Sequence, residues 1–174
     1  GPREPFGMSL AVAAVGAVVA ALLELTLVPY LQIGGTQPDL VLVLAVAWAL
    51  VAGFEGGLVW AFVGGLMLDV LAARPLGSTA FVLLISVGAA TGLGRLLEPA
   101  RIASPAIVTA LVAVLYTVLL LLTYSAIRGP VPVGETLATL VPRVILDSIL
   151  GGFIGALGLR FRARRSPDRE RLDW

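Results

Sequence analysis

Between Phe6 and Phe161 the sequence runs as six apolar stretches separated by short turns rich in glycine and proline. The stretches are Phe6–Tyr30, Pro38–Val51, Gly56–Ala72, Ser78–Leu97, Ser104–Ile127 and Thr136–Phe161. Between them lie Gly34-Gly35-Thr36-Gln37-Pro38, Gly53-Phe54-Glu55-Gly56, Arg74-Pro75-Leu76-Gly77, the segment from Pro99 to Pro105, and Gly129-Pro130-Val131-Pro132, all of them turn-forming compositions. A membrane helix needs about 20 apolar residues, so six of them use most of 174 residues and leave only tails and loops. The second stretch is short by that measure, although Pro38 suits the first turn of a helix. Merging the second and third stretches gives a five-span alternative that would put the two tails on opposite sides. The expected fold is therefore all-α and integral to the membrane, with six transmembrane helices over residues 8–161. Residues 1–7 form an N-terminal tail and residues 162–174 a basic C-terminal tail. Gly1-Pro2 looks like the remnant of a protease site, which makes Met8 the expected native start.

Charge is scarce and unevenly placed. Only 13% of residues are charged, about half the share in a soluble domain. From Arg160 to Trp174 there are six arginines against Asp168, Glu170 and Asp173. The positive-inside rule places such a tail in the cytoplasm, and an even number of spans then brings the N-terminus to the same side. Arg3, Arg95, Arg101 and the tail fall inside, whereas only Arg74 and Arg128 fall outside. Cys, His, Lys and Asn are absent. That excludes disulfides, Cys/His zinc sites, a Ser-His-Asp triad, a phosphate-loop lysine and a Schiff-base lysine. No cofactor is expected, and the tail arginines, explained by topology, give no case for nucleic acid.

Ionisable groups inside a bilayer cost about 2.5–3.5 kcal/mol each on insertion scales and face protein rather than lipid. Within the spans these are Glu24, Asp69, Arg143 and Asp147, with Asp39 at an entrance. The topology puts all four in the outer half of the membrane. Gly57, Ala61, Gly65 and Asp69 recur every four residues, as do Arg143, Asp147, Gly151 and Gly155. Small residues at that spacing let helix backbones approach closely. The third and sixth spans run in opposite directions, so their small halves would meet on the cytoplasmic side and their charged halves outside. On this expectation Arg143 is the counter-charge of Asp69, of Asp147 or of both. Such a pair can lock helices, line a polar pocket or contact a partner. A further stripe, Gly16–Ala20–Glu24, marks the first span, and Gly88–Gly92 the fourth. Glu24 either joins the outer cluster or faces another subunit.

Two stretches together are more specific. One is Gly35-Thr36-Gln37-Pro38-Asp39-Leu40-Val41-Leu42-Val43-Leu44, a Pro-Asp-Leu entrance to the second span. The other is Gly57 to Gly77, GLVWAFVGGLMLDVLAARPLG, a glycine-rich helix with Gly65-Leu66-x-x-Asp69 and a short loop closing at Gly77. This order and spacing resembles the rod shape-determining MreD family over about Gly34 to Gly94, with Pro38, Asp39, Gly65, Leu66, Asp69 and Gly77 as the matching motif positions. The resemblance implies a multi-pass protein of the bacterial cytoplasmic (inner) membrane within the cell-elongation machinery. It implies MreC as partner, with RodA, its transpeptidase and MreB in the same assembly, and membrane lipids around it. It also implies a fold similar to the substrate-binding subunits of energy-coupling-factor transporters.

The leading expectation is a non-enzymatic membrane scaffold that binds MreC and supports peptidoglycan synthesis by helix packing. The alternative is a small-molecule-binding subunit of a vitamin-type transporter. That reading needs a pocket with several hydrogen-bonding side chains, and the only amides, Gln32 and Gln37, both lie near the first outer loop. An enzyme is disfavoured: Asp69 and Asp147 could be imagined as an acid–base pair, but Arg143, one helical turn before Asp147, would neutralise it.

Overall fold

The computed structural model describes residues 6–97, 103–130 and 132–164. Six helices follow the apolar stretches: α1 (Phe6–Thr26), α2 (Leu40–Ala52), α3 (Phe54–Leu71), α4 (Ser78–Leu96), α5 (Ser104–Arg128) and α6 (Val133–Arg164). One short 3-10 turn, Val28–Tyr30, extends α1. Five helices are long and apolar enough to cross a membrane, and α2 is shorter, at 13 residues. At 1.5 Å per residue α2 is about 20 Å long, less than a hydrocarbon core of about 30 Å. Helix α6 continues unbroken to Arg164, beyond the boundary expected at residue 161. Arg3, Arg101, the Gly1-Pro2 remnant and the tail from Arg165 to Trp174 lie outside the described residues.

The short helix stands in the middle. Helix α2 touches α1, α3, α4, α5 and α6, and these five follow one another around it in the order α1, α3, α4, α5, α6. The ring does not close, because α1 and α6 make no contact with each other among the described residues. Central position explains composition: Val41, Leu42, Val43, Ala45, Val46 and Ala49 are all buried, so the helix is apolar on nearly every face. Its last residue is followed by a single linker, Gly53, at φ +109°, and then by Phe54 of α3. Only glycine adopts that backbone readily, and it permits the chain to reverse between two helices with no loop.

Glycine stripes set the close approaches, but not between the helices expected. A Cβ on Gly65 would collide with the Ala80 backbone of α4, and one on Gly57 would meet Ala49 of α2 at 2.6 Å. Gly151 lies against Thr109 and Gly155 against Pro105, both on α5. Among the described residues α3 and α6 do not touch, so the expected meeting of their two stripes does not occur. The reason is geometric. Four residues turn a helix by about 400°, so a stripe of period four drifts about 40° per step and passes from one neighbour to the next. In α6 the Arg143–Asp147 half faces the start of α2 and the glycine half faces α5. Gly16 of α1 packs on the Trp60 ring, which stacks on Trp48 with centroids 5.3 Å apart. Gly88 and Gly92 meet nothing within 4 Å.

Candidate functional site

The charged groups gather where α1 ends, α2 begins and the first half of α6 passes beside them. The first four N–H groups of any helix lack an intrahelical acceptor, and a buried helix cannot turn to water for one. Helix α2 is supplied by its neighbours. Glu24 Oε2 on α1 accepts from the Val41 N–H at 2.8 Å, and Asp147 Oδ1 on α6 accepts from the Asp39 N–H at 2.9 Å. Two carboxylates therefore meet the positive end of the α2 dipole, where anions are favoured. Asp39 itself makes no side-chain cap to its own helix. Its Oδ2 lies 3.7 Å from Nε of Arg143, an ion pair longer than a hydrogen bond.

The opposite end of α2 is closed with the opposite sign. Arg162 of α6 donates from Nη1 to the Val51 carbonyl at 2.9 Å, a cation at the negative end of the dipole. Helix α6 thus holds both ends of the short central helix, through Asp147 and through Arg162, 15 residues apart.

Asp69 is elsewhere. Both of its carboxylate oxygens lie 3.1 Å from the Thr79 N–H, and the Ser78 hydroxyl donates to Oδ1 at 3.3 Å. It is a cap for α4 contributed by α3, and it is fully buried. Its backbone carbonyl accepts from the Arg74 N–H at 2.8 Å, and the Ala73 N–H donates to Val70, the paired bonds of a Schellman end. Ala73 accordingly takes φ +51°. Gly77, in the left-handed region at φ +87°, then starts α4. The spacing Gly65, Asp69, Gly77 is thereby given a local reason. Gly65 lets α4 approach, Asp69 caps it, and Gly77 makes the turn between them.

Of the expected cluster, Glu24, Arg143 and Asp147 come together, around Asp39 rather than around Asp69. Arg143 was expected as the counter-charge of Asp69, of Asp147 or of both; the Asp69 part is corrected, because Asp69 is held by Ser78 and Thr79 and α3 and α6 do not touch among the described residues, and the ion pair of Arg143 is with Asp39. Arg74, on the loop after α3, lies within electrostatic range of both Glu24 and Asp39. Sequence reading missed the roles of Arg74, Arg162, Ser78 and Thr79. The one available signal was position: Glu24, Asp39 and Asp69 lie within a turn of a helix end, where backbone groups need partners, whereas Asp147 lies about four turns into α6 and gave no such signal. After these bonds, Asp39 Oδ2, Arg143 Nε and Asp147 Oδ2 still lack a hydrogen bond.

Among the described residues no group of three acidic, His or Cys side chains is placed to hold a metal ion. A cavity of about 520 Å³ lies at the other end of the bundle, lined by Ser9, Leu10 and Ala52 to Gly56. Among the described residues lining it, Glu55 is the ionisable one.

Comparison with known protein families matches residues 7–150 to the model of the rod shape-determining protein MreD. Comparisons with characterised proteins and with solved structures give no match. The family is a membrane component of the rod-shape machinery of the bacterial inner membrane, in keeping with a multi-pass bundle in which five helices are long and apolar enough to cross it. With most of its length matched, the chain belongs to the MreD family.

Proposed function

We propose that the chain is a non-enzymatic scaffold subunit of the cell-elongation machinery, binding MreC within the bilayer and through it supporting peptidoglycan synthesis. RodA with its transpeptidase, and MreB, belong to the same assembly in this reading. The observation that carries it is the use made of the intramembrane carboxylates. Glu24 and Asp147 accept from N–H groups at the start of α2, and Asp69 from one at the start of α4. Groups that could otherwise serve acid–base chemistry are thereby committed to fixing helices in place. A rigid bundle, with its lipid-facing sides apolar, offers other membrane proteins surfaces for lateral packing.

The test is co-purification. Tagged chain and MreC, co-expressed and extracted in mild detergent, are expected to elute together at a fixed ratio. A Gly65→Leu variant, in which α3 and α4 must separate, is expected to lose MreC. Failure of MreC to co-elute with a monodisperse, thermally cooperative wild-type chain would overturn the reading.

A further inference from the structure

Asp39 and Asp147 approach each other with no hydrogen between their side chains. The Asp39 N–H donates to Asp147 Oδ1 at 2.9 Å, and the two carboxyl groups lie within hydrogen-bond reach of each other. Oδ2 of each is nevertheless buried without a donor, and Asp147 is fully buried. Ionised carboxylates only accept hydrogen bonds, so two of them in contact repel. The cation beside them, Arg143, stands with Nε 3.7 Å from Asp39 Oδ2, beyond hydrogen-bond length. The surrounding charges do not balance either. Glu24 of α1, Asp39 and Asp147 face Arg143 of α6 and Arg74 from the loop after α3, with the buried Tyr116 of α5 alongside. Ionised throughout, these five charged groups hold one negative charge in excess, and an unpaired charge within a membrane protein is costly.

We propose that Asp39 and Asp147 bind one proton between them, so that a carboxyl–carboxylate hydrogen bond fastens α6 to the start of α2. One proton supplies the missing donor and brings the five groups to neutrality, as in other carboxyl pairs too close to ionise together. Glu24 is the poorer holder, because its Oε2 accepts from the Val41 N–H at 2.8 Å and neither of its oxygens is buried without a partner. A water molecule would donate to both oxygens yet leave the excess charge in place. A metal ion would find no third acidic ligand among the described residues and a guanidinium nearby. The pair titrates as a unit. It exchanges its proton with water past Asp39, whose side chain keeps 14% of its surface exposed. The unfolded chain, with ordinary aspartates, gives that proton up above about pH 4. Folding therefore takes up one proton above that pH, and stability falls as pH rises until the folded pair itself ionises.

The experiment joins infrared spectroscopy to denaturant unfolding, both on the full chain in mild detergent. At neutral pH the wild-type chain is expected to show the C=O stretch of a protonated carboxyl, weaker by one group in Asp147→Asn and in Asp39→Asn and retained in Glu24→Gln. In either Asn variant the amide N–H replaces the proton, so the contact persists without titrating. Between about pH 5 and pH 8 the wild-type unfolding equilibrium constant is expected to rise about tenfold per unit relative to Asp147→Asn. Absence of a protonated carboxyl from the wild-type spectrum would overturn the proposal, whether or not the variants fold. So would a band lost in Glu24→Gln and kept in both Asn variants, or a pH slope that those two share with wild type. An unfolding midpoint that moves when choline replaces sodium at constant ionic strength would overturn it as well, by placing a cation where the proton is expected.

Discussion

Asp147 of α6 accepts a hydrogen bond from the backbone N–H of Asp39, 108 residues earlier, at 2.9 Å. The bond joins the last helix to the start of the central one. Together with Glu24 on Val41 and Arg162 on Val51 it leaves the shortest helix held at both ends by side chains from the outer ring. A helix too short to span the hydrocarbon core alone is thereby kept in register with longer neighbours.

Removing the acceptor and removing the charge should differ. Asp147→Leu leaves the Asp39 N–H buried without a partner, at about 1–3 kcal/mol, and should lower the melting temperature in detergent. Asp147→Asn retains a carbonyl acceptor and sheds a buried charge, so it should stay within about 1 kcal/mol of wild type. Thermal unfolding of the two variants in parallel checks the order. Equal losses would argue that charge, not the hydrogen bond, matters at this position.

The two capping sites should act independently. Asp69→Ala removes the acceptor for Thr79 on α4 and should cost about 1–3 kcal/mol. Combined with Asp147→Ala, its effect should add within about 0.5 kcal/mol, because the two residues share no partner. Glu24→Ala with Asp147→Ala should not add, since both act on the start of α2. Double-mutant cycles from denaturant unfolding decide this. Strong coupling between Asp69 and Asp147 would contradict their separation.

Glycine positions should rank by what they face. Gly65→Ala drives a methyl group into the Ala80 backbone, and overpacking of this kind costs about 1–3 kcal/mol. Gly88→Ala enters open space and gains the helix propensity of alanine, about 0.5–1 kcal/mol. Melting temperatures should therefore move in opposite directions for the two substitutions.

Ala73 occupies the left-handed region at φ +51°, a conformation that costs a residue with a Cβ about 1–2 kcal/mol. Ala73→Gly relieves that strain at the end of α3 and should raise the melting temperature. A lowered one would show that the α3–α4 turn is set by something other than the Schellman end.

Much of the architecture was legible in the residues. The apolar stretches predicted six helices, and their ends fall within a few residues of those observed, because crossing a bilayer depends on the composition of some 20 consecutive residues. Asp39 and Asp69 were visible as carboxylates beside helix ends. Their partners were not, since an acceptor near a helix start can serve its own helix, as Asp39 does not, or another, as Asp69 does. The stripes misled for a related reason. In helices this rich in alanine and glycine, small-residue faces occur on several sides, and the slow drift of a period-four repeat lets one stripe serve two neighbours.

The sequence by itself determined that the chain lies in the membrane as a bundle of helices, and that its few buried charges would need partners. Both follow from local quantities, the apolarity of a segment and the cost of a charge within it. Only the tertiary structure decided that the shortest helix is the central one, that Asp39 rather than Asp69 faces Arg143, and that α1 and α6 do not meet among the described residues. Those outcomes depend on which of several similar small-residue faces pack together at once, and that is a property of the whole bundle rather than of any one segment.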